Sequence, residues 1–172
     1  MIILAPCYKT ILMYKFLFLA FLAFSSELLS QNVQNNLRLN RIDGKKVNIK
    51  QYLDSGPVLI NFWATWCGPC KKEMLHLDRL SKTYKKNKLT ILSISIDTQR
   101  SLSEVKRFVR SKRYDFEVFL DPNQQIFKKL NGNIMPTNVL LDRTGKIVWM
   151  HYGYMPGDEK IMEQQILQLI GQ

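Results

Sequence analysis

Apolar positions in this chain switch between the two-residue period of strands and the 3.6-residue period of helices. Leu39-Asn40-Arg41-Ile42 and Val47-Asn48-Ile49 flank Asp43-Gly44, a hairpin signal. Tyr52 to Pro57 reads as a short helical turn that ends in a loop. The run Val58-Leu59-Ile60-Asn61-Phe62-Trp63 predicts a buried strand. Met74, Leu77, Leu80 and Tyr84 then recur at helical spacing, one stripe facing a core. That helix ends in Lys85-Lys86-Asn87-Lys88, where the helix dipole favours cations. Leu89 to Ile96 predicts a central strand, and Ser101 or Ser103 is expected to cap a helix through Val105, Phe108 and Val109. Glu117 to Leu120 reads as a short strand, and Asp121-Pro122-Asn123 as a turn into a helix with Ile126, Phe127 and Leu130. Thr137 to Leu141 and Lys146 to Met150 predict a hairpin over Asp142-Arg143-Thr144-Gly145. A last helix, capped by Asp158, is expected to bury Ile161, Met162, Ile166, Leu169 and Ile170.

Alternating strands and helices imply parallel pairing, and the late hairpin adds antiparallel strands. The expected class is α/β, a mixed β-sheet flanked by helices on both faces. No internal repeat or low-complexity tract interrupts it.

The first 30 residues read as a secretory signal segment rather than as fold. A positive start at Lys15 precedes Phe16 to Phe24, about nine apolar residues, and then Ser25-Ser26. That run is shorter than the roughly 20 residues a membrane span needs. Cleavage is expected between Ser25 and Ser30, and retention as an anchor is the other reading. Met13 is a candidate true start. Residues 31–172 then make one domain, large enough to bury a single core. Net charge is +11. The cations are spread over Lys45-Lys46, Lys71-Lys72, Lys85-Lys86, Arg107 to Arg113 and Lys128-Lys129. No nucleic-acid motif accompanies them, so nucleic acid is not an expected partner.

Three cysteines are present, Cys7 in the signal segment, Cys67 and Cys70. A strand followed by Trp66-Cys67-Gly68-Pro69-Cys70 and then a helix puts the Cys67 sulfur at a helix N-terminus. Unpaired N–H groups and the helix dipole there favour a thiolate. A thiolate beside a second thiol exchanges disulfides. Cys67 is the expected nucleophile, and the deeper Cys70 the residue that resolves the mixed disulfide. Pro69 suits the first helical turn, where a missing N–H costs little. A purely structural disulfide would close too short a loop to restrict the unfolded chain much. Zinc would need about four ligands; His76 and His151 lie far apart in sequence, so no metal and no cofactor beyond the Cys67–Cys70 disulfide is expected.

Over Asn61-Phe62-Trp63-Ala64-Thr65-Trp66-Cys67-Gly68-Pro69-Cys70 the chain resembles the thioredoxin superfamily. Within it, the chain resembles the TlpA/ResA-like branch of extracytoplasmic thiol–disulfide oxidoreductases. The resemblance spans roughly residues 37–170. It implies a thioredoxin fold with an added N-terminal β-hairpin and an inserted βα unit. It also identifies Ile134-Met135-Pro136-Thr137 with the family's cis-proline loop. Pro136 would lie against the two sulfurs, and the backbone of Met135 would pair with a substrate chain like an added strand. Glu73 falls where some members of the branch carry an active-site glutamate. It is expected either to relay the proton of the buried thiol or to be a solvated charge in the first helical turn. Asn61 stands where thioredoxin has a buried aspartate. Leu75 replaces the proline usual in the branch, so a straighter helix is expected. Trp63 is expected in the core, and Trp66, Gly68 and Pro69 at the rim that meets a substrate.

The resemblance implies a periplasmic or otherwise extracytoplasmic protein-disulfide oxidoreductase, expected to act as a monomer. Its partners would be oxidised exported proteins or apocytochrome c, and a membrane electron donor. The Gly-Pro dipeptide, as in thioredoxin, favours the reducing direction. The competing classes are a net oxidant or isomerase, a thiol peroxidase and a non-catalytic binding module. The peroxidase lacks its Thr-x-x-Cys context, because Ala64 stands where the threonine would be.

Overall fold

The computed structural model describes residues 36–171. The expected signal segment and its cleavage site lie outside them. Seven strands form one sheet: β1 (Arg38–Arg41), β2 (Lys46–Asn48), β3 (Val58–Trp63), β4 (Thr90–Ser95), β5 (Glu117–Leu120), β6 (Thr137–Leu141) and β7 (Ile147–Tyr152). The helices are α1 (Lys50–Leu53), α2 (Gly68–Thr83), α3 (Leu102–Lys112), α4 (Gln125–Lys129) and α5 (Asp158–Ile170). The strand order is β2-β1-β5-β4-β3-β6-β7. β3, β4 and β5 run parallel, and the remaining neighbours pair antiparallel. This is the mixed α/β sheet expected from the alternation of elements. The N-terminal hairpin joins the sheet where β1 pairs with β5. Between β4 and β6 lie α3, β5 and α4, one strand–helix pair more than a single crossover helix requires.

Strand alternation divides the apolar residues between two cores. Val58, Ile60 and Phe62 of β3 join Leu92, Ile94, Val139 and Leu141 in a core with Val105, Ile126 and Phe127. Leu59, Ile91 and Leu140 point the other way and pack with Leu77 and Leu80 of α2 and Met162 and Ile166 of α5. β3 is buried along its whole length because both faces are covered.

Four local expectations are corrected. Ile161 is about half exposed (47%) rather than on the buried face of α5, which centres on Met162 and Ile166. Asp158 is the first residue of α5 and not its cap; Gly157 holds that position at φ 110°. The Asp158 carboxylate instead accepts the Met155 N–H at 2.7 Å and faces His151 Nε2 at 3.1 Å. Ser101 occupies the N-cap of α3, but its side chain makes no capping hydrogen bond. β7 runs on to Tyr152, because β6 offers partners as far as Thr137.

Candidate functional site

β3 ends at Trp63, and the chain turns through Ala64 and Thr65 into α2. The turn is fixed from below. Asp97, just past β4 and buried, accepts the Thr65 N–H at 2.9 Å and the Thr65 hydroxyl at 2.6 Å. The Ser95 hydroxyl donates to the same carboxylate at 2.8 Å. The Cys67 N–H returns to the Ala64 carbonyl at 3.0 Å. Cys67 therefore stands as the N-cap of α2, and its sulfur accepts the Cys70 N–H at 3.2 Å. Pro69 lies in the first turn, where it removes a donor that has no partner to lose. Cys67 and Cys70 are joined by a disulfide. Cys67 keeps a sliver of exposure (6%), whereas Cys70 has none.

A groove of about 530 Å³ opens beside the disulfide. Trp66, Cys67, Gly68, Pro69 and Met135 line it, so the motif and the Met135 loop, 65 residues apart or more in sequence, meet there. The Met135–Pro136 peptide bond is cis. Trp66 stands out at 70% exposure and forms the rim, while Trp63 is buried against Phe108 with ring centroids 5.3 Å apart. The groove also takes Ile96, Gln124, Phe127 and Asn133, which sequence reasoning did not single out. Ile96 and Phe127 carry only a core signal. Gly132 packs so closely on the Phe127 ring that a Cβ there would collide with it.

Glu73 does not reach this groove. It lies one turn beyond Cys70 on the inner side of α2, with no exposed surface. Of the two expectations for it, the solvated charge is excluded. Asn138 Nδ2 donates to its Oε1 at 2.7 Å and Asn61 Nδ2 to its Oε2 at 2.9 Å. Burial pushes its pKa up to about 8 against the pull of the two amides, and Asp158 adds to the rise. α2 runs unbroken through Leu75, which points to solvent. His76 is half-buried, its ring 6.1 Å from that of Tyr154.

Chemically, the arrangement offers one sulfur at a helix N-terminus beside the groove, in a residue that keeps slight exposure, a second sulfur in a residue with none, and a buried carboxyl whose pKa is pushed up to about 8. Among the described residues no group of three or more His, Cys, Asp or Glu could hold a metal ion, and no helix is long and apolar enough to cross a membrane.

Comparison with known proteins agrees with this geometry. Residues 29–166 match the Redoxin family. The thiol-disulfide oxidoreductase ResA of Bacillus anthracis is 35% identical over 113 residues, which is 66% of this chain and 64% of that protein. The chain thus spans just under two thirds of the length of such relatives. Among solved structures, a candidate thiol:disulfide interchange protein DsbE from Chlorobium tepidum superposes with a TM-score of 0.73 at 28% identity. The match covers 82% of this chain and 99% of that one. A candidate protein disulfide isomerase from Bacteroides thetaiotaomicron gives a TM-score of 0.69 at 31% identity, over 79% of this chain and 86% of the other.

Proposed function

Because the chain belongs to the Redoxin family, we propose that it is a thiol–disulfide oxidoreductase that reduces disulfides of exported proteins with the Cys67–Cys70 pair. The observation that carries this reading is the Cys67 sulfur at the N-cap of α2, bonded by the Cys70 N–H, with Cys70 buried beneath. In the reduced protein the same N–H and the helix dipole stabilise a Cys67 thiolate. That thiolate attacks a substrate disulfide and one substrate sulfur leaves. Cys70 then gives up its proton and attacks Cys67, the mixed disulfide breaks, and the substrate departs reduced. Two electrons pass to the substrate, and the Cys67–Cys70 disulfide remains.

Trp66, Gly68, Pro69 and Met135 are the surface on which the substrate segment lies. Pro136 holds that segment against the sulfurs, and Glu73 accepts the Cys70 proton. Resemblance to the TlpA/ResA-like branch extends the reading to an extracytoplasmic protein, exported by a signal segment at residues 1–30. Its substrates would include apocytochrome c cysteines, and a membrane donor would return the electrons.

Trapping tests the exchange chemistry. Reduced Cys70→Ser protein, mixed with a disulfide-bonded peptide, should accumulate a mixed disulfide on Cys67, and Cys67→Ser protein should accumulate none. Equal trapping by the two variants overturns the proposal. Equilibration with glutathione tests the direction. A midpoint near the roughly −270 mV of thioredoxin supports the reductant, and one near the roughly −120 mV of a strong oxidant makes the chain a net oxidant.

A further inference from the structure

The sheet carries a polar row on the face that α2 covers. Asn61 of β3 lies in register with Ser93 of β4 on one side and Asn138 of β6 on the other, and all three are buried. Glu73 comes down from α2 onto this row, and three hydrogen bonds close a triangle. Asn138 Nδ2 donates to Glu73 Oε1 at 2.7 Å. Asn61 Nδ2 donates to Glu73 Oε2 and to Asn138 Oδ1, each at 2.9 Å.

This triangle closes in only one way. Asn61 shows the same atom to both neighbours. If that atom is the nitrogen, both neighbours must present oxygen there. Asn138, having used its oxygen, turns its nitrogen to residue 73, which must accept there as well. Residue 73 then accepts on both oxygens, as an ionised carboxylate does and a carboxamide cannot. Turning both amides over reverses every polarity and demands two donors from residue 73. Turning one over sets like atoms face to face. A protonated Glu73 has a single hydrogen. It either leaves one reversed contact repulsive or points that hydrogen away from both amides.

We propose that Asn61 and Asn138 are positioning residues of the exchange reaction: they form a two-amide cradle that stabilises the Glu73 carboxylate and so enables it to take the proton that Cys70 sheds. The proton moves from Cys70 Sγ to the Glu73 carboxylate. The Cys70 sulfur bonds to Cys67 Sγ, the bond from Cys67 to the substrate sulfur breaks, and the substrate leaves with that electron pair as a thiolate. The cradle rests on the reading of Glu73 as the proton acceptor. Its opponent is burial, which favours the neutral acid. The other ionisable groups around Glu73 are Asp158 at the start of α5, Tyr154 in the β7–α5 loop, His76 against Tyr154, and His151. His151 is in register with Asn138 and bonded to Asp158. None of them changes in the variants below.

The test is a pH titration of the Glu73 carboxyl carbon by NMR in the oxidised full chain, for the wild type, Asn138→Leu and Asn61→Asp. The wild type should titrate near 8. Asn138→Leu removes one amide bond to a charged group and should raise the midpoint by about one pH unit, tenfold in proton affinity. Asn61→Asp keeps the shape and replaces the shared donor with a carboxyl. The pair should then hold one proton to higher pH than Glu73 does alone. In both variants the pH profile for resolution of the mixed disulfide should follow the shifted midpoint. A folded variant whose Glu73 midpoint does not move overturns the cradle, whatever its activity. A midpoint that moves without the exchange profile following it overturns the catalytic half of the proposal, and with it the role of Glu73 above.

Discussion

A carboxyl that titrates at about 8 in the folded chain and near its ordinary 4.5 in the unfolded chain makes stability fall as pH rises. Between these values the folded state keeps a proton that the unfolded state has lost. The Glu73 contribution is therefore intact below about pH 4.5 and is lost at about 1.4 kcal/mol per pH unit up to about 8, roughly 5 kcal/mol in all. Glu73→Gln has no such dependence, but its carboxamide leaves one contact of the asparagine triangle with donor facing donor or acceptor facing acceptor. That should cost about 1–2 kcal/mol at every pH. The two stability curves should cross about one pH unit above 4.5, with the variant the more stable protein from there to pH 9. The assay is urea unfolding from pH 4 to 9 with the Cys67–Cys70 disulfide intact, so that no thiol titrates. The difference between the proteins isolates Glu73. Glu159 and Glu163, whose pKa values are lowered by a backbone N–H and by Arg79 respectively, lose their contribution only as pH falls into the acid range. A constant difference between the two proteins across this range would refute the reasoning, because Glu73 would then bind its proton equally in both states. A wild type that gains stability with pH relative to Glu73→Gln would show the amides outweighing burial.

Asp97→Ala should cost about 3 kcal/mol in urea unfolding and slow exchange about tenfold, since the Thr65 N–H and hydroxyl lose a charged acceptor where the chain enters Trp66 and Cys67. Asp97→Asn should cost less, because the Thr65 and Ser95 hydroxyls can turn to accept; an alanine variant as stable as the wild type removes the clamp from the account. Trp66→Ala should change stability by under about 0.5 kcal/mol, the residue being 70% exposed. It should also slow mixed-disulfide formation with a peptide disulfide about tenfold, as loss of an aromatic anchor does. An unchanged rate would take Trp66 out of the substrate surface.

Much of this molecule is legible along the chain where the governing interactions are local. The limits of β3, β5 and β6 follow from their apolar runs, and the hairpin turn from Asp43-Gly44, whose glycine sits at φ 91°. The CxxC motif announces its place at a helix start because the strand before it and the apolar stripe after it lie within 20 residues. What stayed hidden depends on tertiary partners. Asp158 has the residue type and position of a cap, yet its carboxylate is claimed by Met155 and His151. Ile161 fits a helical stripe, yet the stripe that α2 and β6 receive is centred on Met162 and Ile166. Phe127 reads as core, and only the approach of the Asn133–Met135 segment makes it a wall of the groove.

The buried site shows why such gaps fall where function is. Asn61 sits inside an apolar run and Asn138 in a strand 77 residues later, so neither has a local pattern that marks it. Glu73, in the first turns of a helix, matches a solvated charge as well as it matches a buried acid. Their meaning comes from a shared low-dielectric space. Cys67 depends less on that space, because it stands at the N-cap of α2, where the helix dipole favours a thiolate once the disulfide is reduced. A thiolate on Cys70 would be a buried charge without such support, and in the mechanism proposed above its proton goes to Glu73, one turn further along α2. An aspartate on β3 could take it, but this chain has Asn61 there, an amide that cannot move a proton near neutral pH and whose Nδ2 donates to the acid carried by α2. The Asn61 amide and its neighbour Asn138 on β6 donate to the two oxygens of that carboxyl, so a variant lacking either donor should hold the Glu73 proton to higher pH.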